Sequence, residues 1–106
     1  MIRSAWLALS LFATAPLAAS DAISGERERE LANLLIQDCG SCHGLQMKGG
    51  LGPALLPQML QGKSVEYLST VILNGRAGSA MPAWNGLLSP AEARWMAERL
   101  LSRDLP

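Results

Sequence analysis

The sequence predicts a small all-α domain whose helices and loops wrap around a bound group. Apolar residues recur at helical spacing towards both ends, and a serine suited to capping precedes each such stretch. Two glycine- and proline-bearing loops separate these stretches, and no segment alternates apolar and polar residues as a half-buried strand would. The interior is also short of material. Beyond residue 20 the only aromatic side chains are Tyr67, Trp84 and Trp95, with no phenylalanine. Aromatic rings normally supply much of a core's buried area, so something else must fill this one.

The chain has 106 residues, enough for one small domain. Met1-Ile2-Arg3 carries a positive charge, Ala5 to Leu17 is almost wholly apolar, and Ala18 and Ser20 are small. That is the order of a cleavable secretory signal. Residues 1–20 are therefore expected to be removed, leaving a single exported domain over 21–106. The apolar run is short for a membrane anchor, so no membrane association is expected after cleavage. Nine basic and nine acidic residues cancel. No basic stripe suggests nucleic acid, and no charge run suggests a tail.

In chain order, Ser24 is the N-cap of a first helix in which Leu31, Leu34, Leu35 and Asp38 repeat at helical spacing. Its opening "GERERE" reads as solvated first turns. The helix runs into "DCGSCHG", residues 38–44. The density of breakers in "GLQMKGGLGPALLPQMLQGK", residues 44–63, predicts an ordered loop. Ser64 opens a second helix with Leu68, Val71 and Ile72 inside and Gly75 as its stop. A second loop, "RAGSAMPAWNGLL", follows. The last helix starts at Ser89, with Pro90 at N1 and Glu92 completing a capping box. Met96, Ala97, Leu100 and Leu101 form its apolar face.

The motif at 38–44 holds both cysteines and the only histidine. Cys39 and Cys42 are three apart, so on a helical turn their sulfurs share a face. With His43 directly after, C-x-x-C-H is a haem c attachment signal: two thioethers to the ring, and the imidazole below it on the iron. A disulfide here would close a tiny loop and stabilise little. A thioredoxin-like dithiol needs a βαβ setting that is missing, and a closed zinc site needs a second Cys/His cluster. With no second histidine, the sixth iron ligand is expected to be a methionine. Met47 is too near His43, and Met96 lies on a core face. Met81, in a loop between Gly75/Gly78 and Pro82, is the first candidate, and Met59 on the proline-rich loop is the second. Histidine–methionine ligation raises the potential and leaves no open iron position, which favours electron transfer.

"CGSCH", "GLGPAL", "NGRAGSAMPAW" and a terminal amphipathic helix together resemble a class I monohaem cytochrome c over essentially the whole exported chain. More closely, they resemble the small periplasmic cytochromes of the NirC type, associated with the dissimilatory cd-type nitrite reductase. The resemblance implies that the Pro53 carbonyl accepts the Nδ1–H of His43, that Leu55 packs on the haem, and that Met81 is the sixth ligand. It makes Arg76 and Trp84 candidate propionate contacts; the alternatives are a solvated charge for Arg76 and simple haem cover for Trp84. It also implies that the first and last helices cross, Leu31, Leu34 and Leu35 meeting Met96, Leu100 and Trp95. Trp95 is expected to pack between helices rather than to relay electrons.

The expected function is that of a periplasmic single-electron carrier, not an enzyme. It would dock its redox partners near Gly49–Gly52 and Met81–Ala83 and supply electrons to cd-type nitrite reductase. Two alternatives differ in kind: an accessory in the maturation or haem-d insertion of that reductase, and a haem-free C-x-x-C thiol oxidoreductase.

Overall fold

The computed structural model describes residues 22–105, together with Ala13 and Ala15. The predicted secretory segment, 1–20, otherwise lies outside the described residues. The domain is all-α: α1 (Gly25–Leu34), a π-helical turn (Leu35–Cys39), α2 (Gly40–His43), a 3₁₀ turn (Pro57–Met59), α3 (Val65–Asn74) and α4 (Pro90–Ser102). No described helix is long and apolar enough to cross a membrane.

Each of the three longer helices opens on its predicted serine. The Ser24 hydroxyl accepts from the Arg27 N–H, Ser64 from that of Tyr67 and Ser89 from that of Glu92. At α4 the capping box is complete, because the Glu92 carboxylate also accepts from the Ser89 N–H at 3.0 Å. The same carboxylate reaches α1. Arg27 Nε donates to Glu92 Oε1 at 2.8 Å and Arg27 Nη2 to Oε2 at 3.1 Å. The "GERERE" segment is thus not merely solvated, since Arg27 ties the first helix to the start of the last.

The π turn changes which residues share the inner face. The Gly40 N–H bonds to the Leu35 carbonyl, five residues back, so this turn holds one residue more than an α turn. The stripe of Leu31 and Leu35 therefore continues to Cys39, which packs against the core, while Asp38 is exposed. The simple helical repeat had placed Asp38 there. In α3 the buried residues are Leu68, Ser69 and Ile72, with Val71 only half-buried. Ser69 tolerates burial because its hydroxyl donates to the Glu66 carbonyl at 3.1 Å.

The core is aliphatic and sulfur-bearing. Leu31, Leu35, Met47, Leu60, Leu68, Ile72, Leu88, Ala93, Met96, Ala97 and Leu100 form one cluster. Leu34, Trp84 and Trp95 are half-buried against it. The expected meeting of α1 with α4 is therefore present, with Trp95 as a packing residue whose ring lies 4.6 Å beneath the Arg99 guanidinium. Among the described residues, no aromatic side chain belongs to the buried cluster itself.

Candidate functional site

The site is built where α1, the π turn and α2 deliver "CGSCH". Cys39 and Cys42 are free and half-buried, and His43 ends α2. The chain then turns back over the helix end it has just left. The Gly49 N–H donates to the His43 carbonyl at 2.8 Å, and the Gly52 N–H to the Cys42 carbonyl at 2.8 Å. These amides satisfy carbonyls that a helix terminus leaves without partners. Met47 anchors the loop. It is fully buried, adopts φ 58°, donates its N–H to Gly44 and accepts from Leu55.

This fold-back orients the imidazole. His43 Nδ1 lies 2.7 Å from the Pro53 carbonyl oxygen. A carbonyl only accepts, so Nδ1 carries the proton and Nε2 is left with its lone pair for a metal. Gly52 lies against the ring, for a Cβ there would stand 2.7 Å from Cε1 and 2.8 Å from Nδ1 of His43. Sequence reasoning assigned Pro53 a role but took the preceding glycine only as a loop former. The sequence offered only a glycine in a loop, with nothing local to say that it would meet the ring.

The second loop carries Met81. Its far end is clasped to α3: the Trp84 N–H bonds to the Ile72 and Leu73 carbonyls at 3.2 Å each, and the Asn85 N–H to Leu73 at 3.1 Å. Met81 is half-buried. Of the other methionines, Met47 and Met96 are fully buried in the core and Met59 is 60% exposed. Leu55 is half-buried against the core, Trp84 likewise, and Arg76 is exposed.

The donor set fits a haem c. Two unpaired sulfurs sit one helical turn apart, followed by an imidazole whose Nε2 is free, in a domain whose core lacks aromatic bulk. It fits a thiol oxidoreductase poorly. Burial, reinforced by the Asp38 charge, pushes the Cys39 thiol up to about 11, so it stays protonated at neutral pH, whereas thiol exchange needs the thiolate. Among the described residues no group of three or more His, Cys, Asp or Glu side chains could hold a metal ion as a zinc site would.

Comparison with known proteins agrees. Residues 26–98 match the family model of cytochrome c oxidase, cbb3-type, subunit III. The chain is 47% identical over 102 residues to cytochrome c55X of Pseudomonas aeruginosa, covering 94% of this chain and 86% of that protein. The solved structure of the c-type cytochrome NirC superposes with a TM-score of 0.76 at 48% identity, covering 79% of this chain and all of that one. The dihydro-heme d1 dehydrogenase NirN, solved in complex with DHE, contains a like domain: TM-score 0.61, 36% identity, 65% of this chain and 15% of that chain. The fold and the site thus define an electron-transfer protein of the all-α cytochrome c class. The chain belongs to the family of NirC-like monohaem c-type cytochromes, whose cofactor is a covalently attached haem c with its iron.

Proposed function

We propose that this chain is a periplasmic one-electron carrier that supplies a cd-type nitrite reductase. In this reading Cys39 and Cys42 hold the haem through thioethers, and His43 and Met81 bind its iron. When bound, the haem takes up and passes on one electron at a time. The residues do the rest. The Pro53 carbonyl fixes the His43 tautomer and the orientation of its ring. Gly49, Gly50 and Gly52 flank Leu51, which is 80% exposed and offers an apolar contact, and the exposed Pro82-Ala83 leave room for a partner's close approach. The observation that carries the reading is the His43–Pro53 hydrogen bond directly after two unpaired sulfurs. The likeness to NirC supports the nitrite-reductase partner. The charged-then-apolar opening of the sequence supports export.

The test is direct. The reduced holoprotein, mixed with fully loaded cd-type nitrite reductase, should be oxidised faster than the reductase turns over. Met81→Ala should lower the midpoint potential and abolish the near-infrared ferric band of methionine ligation. Mature protein from a periplasmic extract should begin near Asp21.

The likeness to part of a dihydro-heme d1 dehydrogenase favours a second reading, an accessory role in making or inserting haem d. Slow transfer to the loaded reductase, together with a deletion strain whose reductase lacks its second haem, would decide for it.

A further inference from the structure

The Met81 loop is held shut by a glycine at its near end. Gly75 ends α3 with φ 68°, donating its N–H to the Val71 carbonyl at 2.8 Å. A Cβ on Gly75 would stand 2.7 Å from the Met81 oxygen, 2.7 Å from the Pro82 carbonyl carbon and 2.8 Å from the Ala83 nitrogen. All three are backbone atoms, so no side-chain rotation relieves the clash. Across this approach the Arg76 N–H donates to the Met81 carbonyl at 3.3 Å. Ser79 completes the turn: its hydroxyl donates to the Arg76 carbonyl at 2.7 Å and accepts from the Met81 N–H at 3.3 Å. Gly78 provides an internal comparison, since its φ is 74° but a Cβ there meets nothing within 4 Å.

We infer that Gly75 is a positioning residue for Met81. Its missing side chain lets the Met81–Ala83 backbone lie against the end of α3, and Ser79 latches it there. The inference rests on Met81 being the sixth iron ligand. An L-residue at 75 suffers both the left-handed φ and the steric push, and only the push displaces the ligand loop. A displaced loop leaves the iron open to outside ligands. The apparent affinity for such a ligand rises with the fraction of molecules in which the loop is detached.

The experiment uses holoprotein carrying Gly75→Ala, Gly78→Ala, Ser79→Ala or Met81→Ala. It reads the near-infrared ferric band and the apparent affinity for added imidazole. Gly75→Ala should lose the band and bind imidazole about tenfold tighter or more, as Met81→Ala should. Ser79→Ala, which removes hydrogen bonds without a clash, should keep the band and bind imidazole about two- to tenfold tighter. Gly78→Ala should match the parent. A parent without the band, or a Met81→Ala protein that keeps it, would sink the ligand assignment itself. With that assignment intact, a Gly75→Ala protein that keeps the band and the parent's imidazole affinity overturns the inference. So does a Gly78→Ala protein that loses the band equally, since φ alone would then suffice. Should Gly75→Ala fail to accumulate, an unchanged imidazole affinity in Ser79→Ala overturns it.

Discussion

At the scale of single residues, the site depends on what glycine lacks and on what a proline carbonyl accepts. Gly52 presses its backbone on the His43 ring, and the carbonyl of the next residue accepts a hydrogen bond from the ring Nδ1–H. Gly52→Ala should therefore lower holoprotein stability by about 1–3 kcal/mol, as overpacking does. Gly25→Ala, where an added Cβ meets nothing within 4 Å, should change it by no more than about 0.5 kcal/mol. Guanidinium unfolding of both variants would check this. The cysteine–histidine run was legible in the sequence because its chemistry is written in adjacent residues. The Pro53 carbonyl came only through family resemblance, since no local rule says which carbonyl a histidine will meet. The packing of Gly52 on the ring was not legible, because it depends on how a ten-residue excursion closes on itself.

At the scale of elements, the serine caps and the glycine stop at 75 were readable, because capping needs only a few consecutive residues. The π turn was not. It moves Cys39 into the place that a uniform helix assigns to Asp38, and only the tertiary packing of Leu31 and Leu35 reveals it. The Arg27–Glu92 pair escaped for the same reason, its members standing 65 residues apart. Ser89→Ala should cost about 1 kcal/mol in chemical denaturation. Glu92 also makes α4 sensitive to acid. Hydrogen bonds from Arg27 hold its carboxyl below the usual carboxylate range. A depressed folded value means that the stabilisation is complete above the unfolded carboxylate value of about 4.3 and fades as pH falls through the folded one. Thermal melts of the parent should therefore decline more steeply than those of Glu92→Gln on acidification below about pH 5. Glu66, paired with Arg94, shifts in the same direction, but both side chains are largely exposed and the pair adds little.

At the scale of the whole molecule, the all-α class and the placement of loops between helices followed from periodicity and from glycine and proline, and the need for a bound group from the shortage of aromatic residues. Among the described residues the core shows that shortage as a physical condition: its buried side chains are all aliphatic or methionine. So small a domain with so little bulk depends on its prosthetic group for cohesion. A Cys39→Ala/Cys42→Ala protein, produced without covalent haem, should show reduced helical circular dichroism and no cooperative thermal transition. The parent should lose its helical signal in one cooperative transition.

The restraints on His43 and on Met81 differ in where they come from. The imidazole is held by neighbours within ten positions along the chain, all belonging to the stretch that also carries both sulfurs. The methionine loop is fastened to α3, which shares the aliphatic interior with that stretch. With Met81 as the proposed sixth ligand, warming or mild denaturant would thus free the sulfur-ether flank of the metal before its histidine flank. The molecule would pass through a half-opened form, still coloured and still carrying its porphyrin, in which the iron is accessible from one side alone.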